Sequence, residues 1–366
     1  MENRACLVLE NGMTFAGKAF GAAEDVTGEV VFTTAMTGYL ETLTDPSYYG
    51  QMVVQTFPLI GNYGMIASDF ESQKPHMRAY IVRDWCQEPS NFRCEGDLDT
   101  FLKAQGIPGL YGIDTRALTR VVREHGVMNG RLIHGDFWPD AAMLKEIGNY
   151  RVVDAVRSVS GHSARPSAWK RPDALHVALW DFGAKANIQR ELEKRGCEVA
   201  VFPYDATAEE ILRLRPDGLM LSNGPGDPAE NTGIIEQLRL LCAEQLPTFG
   251  ICLGHQLLAL SQGAQTEKMK YGHRGANQPV RETATGRVFI TSQNHGYAVK
   301  ADTLPEQAAE SWINANDGTC EGVAYRNMPA FSVQFHPEAA AGPLDTGFLF
   351  DRFVRLMKGG NTYAVK

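Results

Sequence analysis

The chain has 366 residues, of which 44% are hydrophobic and 21% charged, and its formal net charge is −8. A chain of this length exceeds what one hydrophobic core normally serves, so we expect two domains. The acidic balance argues against nucleic acid or an anionic membrane as a partner, because phosphates favour basic patches. The N-terminal segment is interrupted by Glu10 and Asn11 and predicts neither a signal peptide nor a membrane span.

Seven cysteines are scattered along the chain without a C-x-x-C pair. Their odd number and irregular spacing argue against a disulfide framework and a zinc site, and they favour a cytoplasmic location. The sequence also lacks a P-loop, a G-x-G-x-x-G motif and an H-E-x-x-H motif. We therefore expect no cofactor and no metal ion in this chain.

The first 157 residues predict a mixed α/β domain. Asn11-Gly12 separates two extended segments and is typical of a hairpin turn, because both residues tolerate positive φ. The segments "GEVVFTTAMTGY" and "GQMVVQTFP" continue the strand pattern. A helix is predicted from a cap at Asp114 or Thr115 to a stop at Gly126, and "WPDAAMLKEIG" predicts another helix start.

Residues 158–174 have no periodicity and are rich in Ser, Pro and charge, which is typical of a linker. From 175 to 360 apolar strand segments alternate with helical ones, one of which opens with the capping box Thr207-x-x-Glu210. Such alternation predicts a doubly wound, mostly parallel sheet. Functional sites in these sheets lie beyond the carboxyl ends of the strands. Three loops there carry unusual residues: 223–228, 252–256 and 335–338.

Cys252 stands between a predicted strand and a predicted helix, in the sequence Gly250-Ile251-Cys252-Leu253-Gly254. This is the G-x-S-x-G pattern of a nucleophile elbow with a thiol in place of the hydroxyl. The helix N-terminus favours the reactive thiolate, and its N–H groups, from Leu253 onward, can hold an oxyanion. A buried structural cysteine is the alternative, and the flanking glycines favour the nucleophile.

A thiol nucleophile needs a base, and "FSVQFHPEAA" supplies His336 at the end of a predicted strand. Residues i and i+2 of an extended segment point the same way, so Glu338 can orient the imidazole ring. His255 and His295 are rival bases, although His255 is expected to pack within its helix. The loop Ser222–Pro228 could complete an oxyanion hole, and a predicted β-type loop at 292–299 could hold an amino acid.

The motifs "GICLGHQ", "SNGPGDP" and "FHPE" together resemble the class I glutamine amidotransferases, whose catalytic triad is Cys-His-Glu. Four further segments resemble the small-subunit family of carbamoyl-phosphate synthase: "GEVVFTTAMTGYLETLTDPSYYGQ", "GIDTRALTR", "MKYGHRGANQPV" and "QNHGYAV". The resemblance spans residues 1 to about 358.

The resemblance implies Cys252 as nucleophile, His336 as base and Glu338 as the residue that orients the base. It also implies a set of glutamine contacts: Ser47, Gly224, Gly226, Leu253, Gln256, Asn294, Gly296 and Tyr297. Because Ser47 belongs to the N-terminal domain, the resemblance places the site near the domain junction.

The implied activity is hydrolysis of L-glutamine, with ammonia passed to a large synthase subunit that makes carbamoyl phosphate from bicarbonate and ATP. ATP and Mg²⁺ are then expected in the large subunit, for arginine synthesis, pyrimidine synthesis or both. Three alternatives stay open: a stand-alone cysteine hydrolase, a non-catalytic scaffold on the same fold, and the glutaminase of another synthase. The intact Cys-His-Glu set argues against the scaffold, and the N-terminal domain argues against another synthase.

Overall fold

The structure is a computed structural model that describes residues 3–135, 139–161 and 166–360. The chain divides into two compact units between residues 155 and 156. The predicted linker, 158–174, stays a prediction, and its residues 162–165 lie outside the described residues. In the described part of the chain, no helix is both long and apolar enough to cross a membrane.

The first unit is built around a closed barrel of seven strands. The strands are β1 (Arg4–Leu9), β2 (Thr14–Gly21), β3 (Val26–Thr33), β4 (Gln51–Ile60), β5 (Ala79–Trp85), β6 (Pro108–Tyr111) and β7 (Met128–His134). Their order around the barrel is β1-β2-β6-β5-β4-β3-β7, and β7 pairs with β1. The pairs β3-β4, β4-β5 and β5-β6 are parallel, and the other pairs are antiparallel.

Local sequence signals in the first unit are confirmed. Gly12 has a φ of 86° in the hairpin between β1 and β2. The helices of this unit are α1 (Tyr39–Thr44), α2 (Leu98–Ala104), α3 (Thr115–His125) and α4 (Ala141–Asn149). Helix α3 begins after Asp114, whose carboxylate accepts a hydrogen bond from the Ala117 N–H at 2.9 Å. It ends before Gly126, as predicted.

The second unit contains a nine-stranded sheet. Its strands are β8 (His176–Trp180), β9 (Glu198–Phe202), β10 (Gly218–Leu221), β11 (Thr248–Ile251), β12 (Thr266–Glu282), β13 (Val288–Val299), β14 (Ala308–Asn314), β15 (Cys320–Tyr325) and β16 (Ala330–Val333). The order is β13-β12-β14-β15-β16-β11-β10-β8-β9. The five strands from β16 to β9 are parallel, as predicted, and four antiparallel strands extend the sheet beyond β16.

Helices cover both faces of the parallel strands. They are α6 (Ala186–Lys194), α7 (Ala208–Arg213), α8 (Thr232–Ala243), α9 (Leu253–Ser261) and α10 (Phe348–Met357), while α5 (Ala155–Val159) spans the unit boundary in sequence. Alternate residues of β8 belong to two different cores. Trp180 lies in the core of α7, α8 and α9, and Leu179 lies in the core of α6 and α10. The predicted capping box of α7 is present at Thr207 and Glu210.

The chain turns from β11 into α9 at a single residue, Cys252, whose φ is 53° and ψ is −103°. Two glycines make the turn possible because the backbone is crowded around them. A Cβ on Gly254 would lie 2.5 Å from the Leu221 carbonyl oxygen, and a Cβ on Gly250 would lie 2.8 Å from the carbonyl oxygen of Gly254. The end of the strand is therefore packed directly against the first turn of the helix.

The substitution Gly254→Ala should destabilise the protein by about 1–3 kcal/mol, because the new methyl group must displace α9 from the end of β10. Gly233→Ala on α8 is the matched control, since a Cβ there meets nothing within 4 Å. Alanine favours a helix over glycine, so the control should be neutral or more stable by up to about 1 kcal/mol. Urea unfolding of both variants measures the difference, and equal stability of the two would contradict this account.

Candidate active site

Cys252 is held in a strained turn directly after β11, at the carboxyl end of the parallel strands. A positive φ is uncommon for a residue with a side chain and marks a backbone fixed by its surroundings. The Cys252 N–H donates a hydrogen bond to the Val333 carbonyl oxygen at 2.9 Å, and the sulfur lies 3.7 Å from the Asn294 carbonyl oxygen. The sharp turn predicted at the elbow is therefore present, and the thiol is 2% exposed.

His336 follows β16, the strand next to β11 in the sheet. The two strands are parallel, so their carboxyl ends meet at the same edge and bring Cys252 and His336 together. The Nδ1–H of His336 donates a hydrogen bond to the Glu338 Oε1 at 2.6 Å. Both side chains are buried. The structure thus brings together the three residues predicted as the triad.

The charges of the triad favour an ion pair. Burial and the Lys185 charge act to lower the pKa of His336, but the Glu338 carboxylate and Cys252 outweigh them and raise it to about 9. Burial acts to raise the pKa of Glu338, but the charges of His336 and Lys185 lower it to about 2. Glu338 holds the Nδ1 side of the ring. The buried Nε2 has no hydrogen bond of normal geometry to any described residue, which leaves it available to the thiol.

Lys185 is a member of this cluster that the sequence reasoning missed. Its Nζ lies 3.5 Å from the Glu338 Oε1 and 3.2 Å from the His336 Nδ1, and the residue is 8% exposed. The ammonium group stabilises the ionised Glu338 and opposes protonation of His336. The available signal was its position, since Lys185 follows β8 at the same edge of the sheet as the three predicted loops.

The two rival bases lie in other surroundings. His255 is fully buried in α9, where its Nδ1 contacts the Ser332 hydroxyl at 2.8 Å. Burial lowers the pKa of His255 to about 3. His295 has its Nδ1 at 2.8 Å from the Tyr297 carbonyl oxygen, and burial lowers its pKa well below the usual range. Burial therefore disfavours the protonated form of both rings, and neither makes the short hydrogen bond to a carboxylate that His336 makes.

Several of the predicted glutamine contacts converge on Cys252. Gln256 donates hydrogen bonds from its Nε2 to the Tyr297 carbonyl oxygen at 2.8 Å and to the Gln334 side chain at 2.9 Å. Asn294 contributes the carbonyl oxygen near the sulfur. Together with Gly296, Asn294 and Tyr297 lie on strand β13, so the predicted loop at 292–299 is wrong. The segment is a strand because it pairs with β12 from Val288 to Val299, with two register shifts.

The remaining predicted contacts lie in three places. Leu253 is the first residue of α9, and Gly224 lies against it, since a Cβ on Gly224 would overlap the Leu253 side chain and the Phe182 carbonyl oxygen. Gly226 has a φ of 88°, which fits the predicted turn. Ser47 belongs to the first unit, in a 3₁₀ turn where its N–H donates to the Asp45 carboxylate at 2.9 Å. Its contact with glutamine stays a prediction.

The substitution Glu338→Gln should reduce stability by about 3 kcal/mol near pH 6. His336 keeps its proton to about pH 9 in the folded state and to 6.5 otherwise, so its stabilisation is complete below pH 6.5 and is lost as the pH rises through 9. Glu338 adds stabilisation above pH 4.5 that is lost as the pH falls towards 2. The loss caused by the substitution should therefore shrink towards both extremes.

Urea unfolding across this pH range measures the effect, with the exposed Glu306→Gln as the matched control. The control should leave the pH dependence unchanged. A loss for Glu338→Gln that is the same at pH 6 and pH 10 would refute the ion pair.

Comparison with known families supports the same reading of both units. Residues 178–356 match the model described as "Glutamine amidotransferase class-I". Residues 7–132 match the model described as "Carbamoyl-phosphate synthase small chain, CPSase domain". The first match covers nearly all of the sheet that carries Cys252 and His336, and the second covers most of the barrel strands.

Curated relatives match almost the whole chain. The carbamoyl phosphate synthase small chain of Bacillus caldolyticus is 52% identical over 356 residues, covering 97% of each chain. That of Symbiobacterium thermophilum is 51% identical, covering 95% of this chain and 97% of the relative. The pyrimidine-specific small chain of Bacillus subtilis is 50% identical, covering 96% and 95%. With half of its residues identical across both units, the chain belongs to the carbamoyl phosphate synthase small chain family.

Proposed function

We propose that this chain is the glutaminase subunit of a carbamoyl-phosphate synthase. It hydrolyses L-glutamine to glutamate and passes ammonia to a large subunit, which makes carbamoyl phosphate from bicarbonate, ammonia and ATP. The observation that supports this proposal best is the buried group of Cys252, His336 and Glu338 at the carboxyl edge of the sheet.

The reaction begins with the proton of the Cys252 thiol held on the His336 Nε2, a state that the raised pKa of the ring favours. The sulfur attacks the side-chain carbonyl carbon of glutamine, and the C=O bond becomes a single bond to an oxyanion. Leu253 is in the first turn of α9, where N–H groups lack helical acceptors, so its N–H can stabilise that charge together with the loop at 224–226. The Gly254 N–H is unavailable because it donates to the Ser222 carbonyl oxygen at 3.0 Å.

His336 next returns the proton to the departing nitrogen, and the C–N bond breaks to release ammonia and a thioester on Cys252. The imidazole then takes a proton from water, whose hydroxide attacks the thioester. Collapse of this second oxyanion breaks the C–S bond and leaves the Cys252 sulfur beside the protonated His336, as at the start, and the new carboxyl group loses its proton to solvent as glutamate leaves. Throughout, Glu338 stabilises the protonated ring, and Lys185 keeps Glu338 ionised.

Ammonia must reach the next reaction without entering bulk water, where it becomes unreactive ammonium. A large subunit that docks on this chain and encloses the product would meet that need. ATP and Mg²⁺ belong to the large subunit in this scheme, and the small chain acts in the cytoplasm. The name of the Bacillus subtilis relative links that protein to pyrimidine synthesis. Supply of pyrimidine synthesis, arginine synthesis or both is compatible with the proposed reaction here.

The substitution Cys252→Ser should lower glutamine-dependent synthesis by about 10³-fold or more in the complex, while leaving ammonia-dependent synthesis intact. The physical reason is that ammonia added directly bypasses the thioester. Cys86→Ser, in the first unit, is the control and should leave both activities unchanged. Equal loss of both activities in Cys252→Ser would refute the scheme.

Co-purification with a candidate large subunit tests the partner. The complex should hydrolyse glutamine faster when bicarbonate and ATP are present, because substrates bound at the synthase site would favour the active form of this site through coupling between the two subunits. A preference for another amide or ester would instead identify a stand-alone cysteine hydrolase. Absence of hydrolysis with an intact complex would identify a non-catalytic scaffold, and coupling to a different synthase would identify another amidotransferase subunit.

A further inference from the structure

Three buried side chains on neighbouring strands of the second unit form a cluster that the proposed reaction does not use. They are His273 on β12, His295 on β13 and Glu321 on β15. One potential ligand atom from each lies within 4.8 Å of the other two. We propose that this His-His-Glu cluster is a binding site for a divalent transition-metal ion, with Zn²⁺ as the ion that fits its nitrogen and oxygen donors.

The tautomer of His273 directs a lone pair into the cluster. Its Nε2 lies 2.8 Å from the Asp317 carboxylate and donates its hydrogen there. The Nδ1 then carries a lone pair, and it lies 3.3 Å from the Glu321 Oε1 and 3.4 Å from the Asn314 Nδ2, a long contact that a metal ion would replace. A histidine that ligates zinc commonly donates its other N–H to a carboxylate in this way, which fixes the ring and raises its basicity.

His295 is oriented in the same manner by a carbonyl group. Its Nδ1–H donates to the Tyr297 carbonyl oxygen at 2.8 Å. A neutral imidazole has one N–H, so the Nε2 presents a lone pair. The Gln293 Oε1 lies 3.1 Å from that Nε2. Two lone pairs face each other there, and a cation between them would satisfy both.

Glu321 supplies the negative charge. Its side chain is fully buried, and its Oε2 makes no hydrogen bond of normal geometry to a described residue. Asn314 donates to the other oxygen at 2.9 Å. A divalent ion would balance the charges of Glu321 and Asp317. The positive charge of the nearby Arg274 opposes a cation, whereas the carboxylates of Asp317 and Glu321, which lie 2.8 Å and 3.3 Å from the His273 ring nitrogens, favour one.

Two separations in the cluster suit the edges of a tetrahedral site, and the three ligand atoms together lie within 4.8 Å of one another. Ligand bonds of about 2.0–2.1 Å place neighbouring ligand atoms about 3.3 Å apart. The separations of 3.3 Å between the His273 Nδ1 and Glu321 Oε1 and 3.1 Å between the His295 Nε2 and Gln293 Oε1 match such edges. Gln293 or a water would complete the coordination. A cavity of about 740 Å³ reaches the His273 and Asp317 side of the cluster.

This proposal departs from the expectation of no metal drawn from the sequence. That expectation rested on the absence of short ligand motifs. Here one ligand comes from each of three strands, and the pairing of β12 with β13 places His273 opposite His295. The alternative is a metal-free cluster in which protonated His273 bridges Asp317 and Glu321. A measurement of bound Zn²⁺ distinguishes this cluster from a metal site.

The test uses the full-length Cys252→Ala protein, so that the reactive thiol cannot hold the metal. After chelation, incubation with Zn²⁺ and desalting, metal analysis should find one Zn²⁺ per chain and thermal unfolding should occur at a higher temperature. Glu321→Gln and His273→Asn in this background should each weaken binding by about 100-fold or more. The control His134→Asn removes a histidine–carboxylate contact in the first unit and should change nothing.

Substitution with Co²⁺ and X-ray absorption identify the ligands even if a variant fails to fold. Two imidazoles and oxygen, without a thiolate-to-cobalt band, are expected. Absence of stoichiometric Zn²⁺, unchanged affinity in both folded variants, or a thiolate spectrum would each overturn the proposal. Metal content and unfolding temperature do not depend on glutamine hydrolysis, so failure here leaves the proposed function standing.

Discussion

The turn at Cys252 is the constraint on which the candidate site depends. A side chain at a positive φ costs of the order of 1–3 kcal/mol, so the surrounding structure must hold it in place. The hydrogen bond to Val333 fixes the turn to β16, while the close packing at Gly250 and Gly254 fixes it between strand and helix. The same β16 leads to His336, so one pair of adjacent strands sets the position of both nucleophile and base.

The sequence predicted those parts of the site whose geometry is local. The glycines around Cys252 predict the elbow, and the two-residue spacing of His336 and Glu338 predicts their contact, which the structure gives as a hydrogen bond. The helix cap at Asp114 and the capping box at Thr207 were equally predictable from the sequence, because each involves residues within one helical turn. The parallel order of the central strands followed from alternation of strand and helix.

Contacts between residues far apart in the sequence could not be predicted from local patterns. Lys185 contacts Glu338 because β8 and β16 end on the same side of the sheet. The residues around Lys185 in the sequence give no indication of this contact. The segment at 292–299 looks like a loop because polar residues interrupt it, but pairing with β12 makes it a strand. Closure of the first unit into a barrel likewise depends on β1 meeting β7, which lie at opposite ends of that unit's sequence.

The closed barrel also limits how another molecule can recognise the first unit. Strands at the rim of an open sheet present unpaired N–H and C=O groups to which a foreign strand can be added. Each of the seven barrel strands has a neighbour on both sides, so the described part of this unit offers no such rim. A protein that binds this unit must contact its side chains, helices and connecting segments. Its selectivity must therefore depend on the identity of those side chains and not on hydrogen bonds to the main chain of a strand.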